Sequence, residues 1–396
     1  MNPSLPGGPA SAVAATGPTH AVVREVGLRD GGCAEGVRLD DVGAGEIGPL
    51  AHATPSPNID ALAARGVTFT NGYSPAPLCG PSRVGTFSMR WPQEYGAYTN
   101  SPNATMPDGV VTFAELLGNA GYESWLIGKW HPWRQNPLDT GFDHFYGFIG
   151  GEHDYRDGPI MRDRHSASWP GYLTDAWTNE ALAALRQPTA KPKLVVVSYN
   201  APHTPMQQPP GDTCAETDKR CVWLAMMRRV DEGIGRIVAA AKPGTLFVLA
   251  GDNGCDTADS SCRTGPLRGE KRSLYEGGNR VPFILAWPGH VQPGRSGRLA
   301  SMMDWGPTFL EAAGAPVPAW ADGRSLLGPG HACLTWSNRE VGSMRCGNWK
   351  IVGAELYNLA GDRREQHNLA RVRPAVLHAM QAKLAAARKS WIKPRW

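Results

Sequence analysis

Short apolar runs that each end in a polar cluster constrain this chain more than any other feature. Residues 193–199 carry Val195-Val196-Val197 at their centre and lead into Asn200-Ala201-Pro202-His203. Residues 245–250 lead into Asp252-Asn253, and residues 122–127 lead into Lys129-Trp130-His131. A fourth run covers 281–287. Helical patterns alternate with them. Residues 58–66 put Ile59, Leu62 and Ala63 on one face and stop at Gly66. Thr112-x-x-Glu115 before Leu116-Leu117 is a capping-box pattern for a helix ending near Gly121. Residues 223–241 space Leu224, Met227, Ile234 and Ile237 three to four apart. The alternation predicts an α/β fold, and open α/β sheets bind ligands at the carboxyl ends of their strands. Three polar clusters at three strand ends therefore point to one site.

The chain has 396 residues, enough for one large α/β domain and a smaller appendage. With 41% hydrophobic and 19% charged residues it reads as a folded protein rather than a disordered one. A net charge of +4 suits an anionic ligand but is too small to imply nucleic-acid binding. No apolar run reaches the roughly 20 residues of a membrane-spanning helix. Six of the 8 cysteines fall in short-range pairs in loop-like surroundings: Cys214 with Cys221, Cys255 with Cys262, Cys333 with Cys346. Three local disulfides would imply an oxidising compartment, periplasmic or secreted; scattered free thiols are the alternative. Residues 1–36 read as an irregular leader with no secretory pattern, which leaves a cytoplasmic address open. Gly31 to Leu39 make a poor central strand, because only Val37 and Leu39 are good strand formers and a strand covered on both faces is normally an apolar run. The expectation is a degenerate strand or a recorded start that is not the natural one. Asp231-Glu232, on the 223–241 helix, read as a solvated face, and His144, His153 and His165 as surface groups.

Pro77-Leu78-Cys79-Gly80-Pro81-Ser82-Arg83 puts a thiol at the mouth of a helix, with Pro81 in the first turn. A cysteine there is a low-pKa nucleophile, a metal ligand or a buried structural thiol; spacing allows all three. Asp40, Asp41, Asp252 and Asn253 are hard oxygen donors suited to Ca²⁺ or Mg²⁺ rather than zinc. Taken alone, such pairs are more often turns or helix caps.

Cys79-x-Pro81-Ser82-Arg83 resembles the sulfatase signature, whose cysteine is oxidised to formylglycine. Thr54-Pro55-Ser56-Pro57-Asn58-Ile59-Asp60 through Gly66 to Tyr73 also resembles that family, and the likeness runs with gaps from about Asp40 to about Ala370. One departure is Met89, where the family commonly has glycine. The resemblance implies an alkaline phosphatase-like fold: a large mixed, mostly parallel sheet flanked by helices, with a small C-terminal antiparallel sheet plus helix. The implied division is a catalytic domain at 37–305 and a C-terminal subdomain at 306–396, to which a structural role falls. It implies a divalent cation, usually calcium, held by Asp40, Asp41, Asp252, Asn253 and an oxygen of modified Cys79. Arg83, Lys129, His131, His203 and Lys271 match the remaining active-site positions. By that likeness, one hydroxyl of a hydrated aldehyde attacks sulfur, and the other later expels sulfate. Arg83 fixes the hydrate, Lys129 bridges it to a sulfate oxygen, His131 deprotonates it, and His203 with Lys271 protonates the departing alcohol.

The implied activity is hydrolysis of a small or carbohydrate sulfate ester, after maturation by a formylglycine-generating enzyme. A phosphonate or phosphate monoester hydrolase of the same superfamily is the alternative, and a catalytically impaired or carbohydrate-binding relative is the third reading. The 150–170 segment, with Glu152, Asp154, Arg156, Arg162 and Arg164, is expected to set the substrate.

Overall fold

The weakest strand in the sequence lies at the centre of the sheet. A computed structural model describes residues 32–48, 51 and 53–395. Its elements begin with β1 (Cys33–Leu39), α1 (Pro57–Ala63), β2 (Val67–Tyr73), α2 (Cys79–Ser88) and α3 (Phe113–Asn119). Next come β3 (Glu123–Lys129), β4 (His144–Phe148), β5 (Ile160–Arg162), β6 (His165–Ala167), α4 (Leu173–Arg186) and β7 (Lys193–Ser198). There follow α5 (Lys219–Ala240), β8 (Leu246–Gly251), α6 (Thr257–Ser260), α7 (Glu276–Asn279), β9 (Phe283–Ala286), β10 (Gly294–Ser301) and α8 (Trp305–Ala312). The chain closes with β11 (Cys333–Ser337), β12 (Gly342–Cys346), β13 (Trp349–Val352), β14 (Glu355–Asn358) and α9 (Pro374–Ala387).

The large sheet runs β10-β2-β9-β8-β1-β7-β3-β4-β5-β6. Its middle, β8-β1-β7-β3-β4, is parallel throughout. β9 is antiparallel to both β8 and β2, so β2 points the same way as the parallel strands. The sheet is mixed and mostly parallel, as expected. One face packs Ile59 and Leu62 of α1, Trp177 of α4, and Trp223 and Ile234 of α5. The other packs Phe87 of α2, Phe113 of α3, and Trp305 and Phe309 of α8.

β1 corrects the reading of the N-terminal stretch: residues 33–36, assigned above to the leader, belong to the sheet. Ladders on both sides, to β7 and β8, hold the backbone whatever its side chains prefer. Gly36 fits because Trp305 covers it; a Cβ there would stand 2.6 Å from the indole. The poor composition leaves a cost. Both Glu35 oxygens and all three Arg38 nitrogens are buried without hydrogen-bond partners. The Arg38 guanidinium lies over the rings of Phe87 and Trp305, at 4.8 and 5.4 Å.

Asp231 is also corrected. It is buried, not solvated, and caps α1 from another helix: its carboxylate accepts the amides of Asn58 (3.1 Å) and Ile59 (2.9 Å). Glu232 does lie on the outer face, paired with Arg228. Thr112 caps α3 by accepting the Glu115 amide. Met89 ends α2 in the left-handed conformation, φ 59°, that glycine would take more easily. Its buried side chain packs on Gly306, where a Cβ would stand 2.3 Å from the sulfur.

α8 packs into the main core, so the small antiparallel sheet, β11-β12-β13-β14, starts well after residue 306. α9 covers one of its faces with Met380 and Leu384. Cys214–Cys221, Cys255–Cys262 and Cys333–Cys346 are disulfide-bonded, and Cys33 and Cys79 are free and buried. No helix among the described residues is long and apolar enough to cross a membrane.

Candidate active site

Five strands that point the same way end at one edge and deliver the site. Asp40 and Asp41 follow β1, Lys129 and His131 end and follow β3, and His203 follows β7. Asp252 and Asn253 follow β8, and the loop after β2 brings Cys79 to the first position of α2. Lys271 comes from the loop before α7. The residues expected to hold a cation or carry the reaction, Asp40, Asp41, Cys79, Arg83, Lys129, His131, His203, Asp252, Asn253 and Lys271, meet here.

Cys79 is fully buried, with Sγ 3.6 Å from Asp41 Oδ1. Burial pushes its thiol up to about 12 despite the nearby ammonium groups of Lys129 and Lys271. That direction runs against the low-pKa nucleophile among the three readings. Arg83, also buried, donates from Nε and Nη2 to Asp252 Oδ2 (3.0 and 2.9 Å) and from Nη1 to Lys129 O (2.7 Å) and Ser198 Oγ (2.6 Å). Asp40 Oδ2 takes the Lys129 ammonium at 2.5 Å, and Oδ1 lies 3.5 Å from Arg83. Burial raises the Asp40 carboxyl, but Lys129, His203 and Arg83 outweigh that and hold it at about 2. Asp252 goes the other way, raised by burial and by Asp40.

Asp41 adopts a left-handed backbone, φ 58°, which turns its carboxylate into the cluster. Oδ1 accepts from Asn253 Nδ2 (2.7 Å), and Oδ2 from Lys271 Nζ (2.6 Å). Lys271 Nζ also lies 3.2 Å from His203 Nε2. His203 Nδ1 contacts its neighbour's carbonyl, Thr204 O, at 2.8 Å. A ring nitrogen bonded to a carbonyl carries a proton, so His203 Nδ1 is held as a donor and Nε2 faces Lys271 and the cluster. His131 is buried with Nδ1 unpartnered, and burial together with Lys129 and Arg83 holds its pKa well below the ordinary imidazole range.

Carboxylate and sulfur atoms of Asp40, Asp41, Cys79 and Asp252 lie within 4.8 Å of one another. Asp40 Oδ1 and Asn253 Oδ1 are buried acceptors with no hydrogen-bond partner. Orphaned oxygens beside three carboxylates fit a hard divalent cation.

The cluster opens into a cavity of about 460 Å³. Its walls include Asn100, Trp133, Arg134, Glu152, Asp256 and Arg272. Of the segment expected to set the substrate, Gly150, Gly151 and Glu152 line this cavity, and Glu152 is the one charged residue among them. Arg162 is spent on Glu180 and Arg164 on Asp139, while Arg156 donates to Gln208 O and Asp154 accepts from Gln207. Asn100, Arg134 and Asp256 were not singled out in the sequence. Arg134 lies three residues past His131 and Asp256 three past Asn253, a proximity that could have marked them; Asn100 carried no signal. Its Oδ1 accepts the Gly80 amide beside Cys79, at 2.9 Å.

Residues 37–315 match the Sulfatase family. An uncharacterized sulfatase, YdeN, of Escherichia coli (strain K12) is 30% identical over 338 residues, which cover 71% of this chain and 59% of that protein. The N-acetylgalactosamine-6-sulfatase of Homo sapiens is 31% identical over 334 residues, 73% of this chain and 64% of that one. The chain thus spans less than two thirds of either relative's length. Among solved structures, Ps i-CgsB in complex with k-i-k-neocarrahexaose superimposes with a TM-score of 0.84 at 26% identity, over 92% of this chain and 94% of that one. Signature, strand-end geometry and these likenesses agree: the chain belongs to the sulfatase family.

Proposed function

We propose that this chain hydrolyses a sulfate monoester and releases inorganic sulfate. The observation that carries the reading is the buried Cys79 at the start of α2, within one cluster with Asp40, Asp41 and Asp252 and beside the cations Arg83, Lys129 and Lys271. Formylglycine made from Cys79 supplies, as its hydrate, an attacking hydroxyl that a thiol lacks. Because Cys79 is fully buried, a formylglycine-generating enzyme must reach it before the chain folds. Asp40, Asp41, Asp252 and Asn253 hold calcium or magnesium, which supplies charge stabilisation for the bound sulfate.

The chain's own residues do the rest. Lys129 and Lys271 offset the charge of the ester, and Arg83 anchors the residue at position 79 with the Asp252 carboxylate. His131, kept neutral by burial, takes a proton. His203 and Lys271, in contact at 3.2 Å, return one to the departing alcohol oxygen. Small and carbohydrate sulfate esters are the proposed substrate class, and the paired cysteines support a periplasmic or secreted setting.

The test is turnover of matched aryl sulfate and aryl phosphonate esters by the purified protein, with mass spectrometry of the Cys79 peptide. An aldehyde at position 79 with sulfate release is the expected result. Preference for the phosphonate would move the chain to the phosphonate hydrolases, and neither activity together with little bound calcium would favour a catalytically impaired or carbohydrate-binding relative.

A further inference from the structure

The loop that carries Lys271 is closed at its neck. Gly277 donates its amide to Arg268 O at 2.8 Å, with Lys271 between them. Inside the loop, Lys271 N donates to Cys255 O (2.8 Å) and Arg272 N to Pro77 O (2.7 Å). The loop therefore touches both the segment after Asn253 and the segment before Cys79. There is no slack in this arrangement. A Cβ at Gly277 would stand 2.0 Å from Gly269 O, and one at Gly254 would stand 1.9 Å from Gly277 O.

The small C-terminal sheet grips both sides of that neck. Arg268 donates to Tyr357 Oη (2.7 Å) and Glu365 O (3.0 Å), and its guanidinium lies 3.8 Å from the Tyr275 ring centre. Glu276, next to the neck, is fully buried. Its carboxylate takes Lys350 Nζ at 2.9 Å and the Tyr73 hydroxyl at 2.8 Å. Lys350 also pairs with Glu365 at 2.9 Å, and Glu365 Oε2 accepts the Glu276 amide at 2.7 Å. Arg280 and Arg345 lie 3.4 and 3.8 Å from the same Glu276 carboxylate. Apolar side chains would join two sheets as firmly as these desolvated charges. What the charges add is a single geometry at the base of the loop.

We propose that the C-terminal sheet positions Lys271, and that Lys350 and Arg268 are positioning residues acting through the loop neck. This rests on the sulfatase reading of the site. Lys271 Nζ serves two partners at once, Asp41 Oδ2 at 2.6 Å and His203 Nε2 at 3.2 Å. A shift of about 1 Å in such a group costs on the order of a hundredfold in rate.

The variants are Lys350→Met, Lys350→Arg and, on the more exposed side of the neck, Arg268→Ala. Lys350→Met is expected to lower kcat of the folded enzyme by about tenfold to a hundredfold with KM changed less than about threefold. Lys350→Arg should recover part of that loss. Hydrogen exchange should quicken across residues 267–279 in Lys350→Met and Arg268→Ala, the Lys271 amide included. If Lys350→Met does not fold, Arg268→Ala decides with the same two readouts. A lower unfolding temperature with unchanged kcat and unchanged exchange in 267–279 would overturn the proposal and leave the sheet a stabiliser only. If the wild type releases no sulfate at all, the proposed activity fails, while the exchange comparison still decides the positioning.

Discussion

The Lys129 ammonium lies 2.5 Å from Asp40 Oδ2, and neither side chain is exposed. The two residues stand at the ends of β3 and β1, which are not neighbours, because β7 runs between them. One ion pair therefore ties two strand ends across a third. Removing one partner of a buried pair leaves the other charge stranded, at a cost of about 3–5 kcal/mol. Lys129→Ala should lose stability on that scale in urea unfolding of the metal-free protein. A loss below about 1 kcal/mol would show that Arg83, 3.5 Å from Asp40, suffices alone.

Cys79→Ala should abolish sulfate release while leaving circular dichroism and the thermal midpoint close to wild type. The side chain removed is small and its one polar contact is a weak one, to Asp41 at 3.6 Å. Unimpaired turnover by this variant would sink the nucleophile assignment.

Chelation followed by return of calcium should raise the thermal midpoint, because the proposed cation would bind a cluster that exists only when the chain is folded. At a free concentration about a hundred times Kd, the gain is about 2.7 kcal/mol. Asp252→Asn, which removes one of the clustered carboxylates, should need more calcium for the same shift. An identical calcium response in wild type and variant would place the ion elsewhere.

Glu35 gives a pH dependence of opposite sign to an ion-paired carboxylate. Burial without a partner holds its carboxyl well above the ordinary range. The folded chain then keeps a proton that the unfolded chain has released, so its contribution to stability falls as pH rises from about 4.3 towards neutrality. Glu35→Leu should therefore stabilise the protein at pH 7, by about 1–3 kcal/mol, and the advantage should shrink towards pH 4. A difference independent of pH would mean that Glu35 is paired in solution.

Non-reducing peptide mapping should recover Cys333–Cys346, which joins paired positions of β11 and β12. Replacing both by alanine should cost about 2–4 kcal/mol, the range for a short closed loop. Free thiols at all six paired cysteines would remove the argument for an oxidising compartment.

Local pattern was enough for the strand-end clusters, for the Thr112 cap and for the sequence-paired cysteines. Each is a matter of periodicity or spacing within a window of some ten residues, and burial imposes those periods directly. Lys129, His131, His203, Asp252 and Asn253 were legible for a second reason: polar groups at strand ends stand where an α/β sheet puts ligands, whereas Asp40, Asp41, Cys79, Arg83 and Lys271 were marked by the resemblance to the sulfatases. Tertiary structure decided what depends on partners far away in the chain. β1 became a central strand because two flanking ladders and the Trp305 ring overrode its composition. Asp231 reads as a surface acid until α1, 172 residues earlier in sequence, brings the Ile59 amide to it. Asn100 has no mark in the sequence, yet it joins the cavity wall to the amide after Cys79. Sequence alone determined the α/β class and the residue types offered at three strand ends, because both are written in residue type and local period. The cavity walls and the clamp on Lys271 are contacts between segments whose proximity exists only once the sheet has closed.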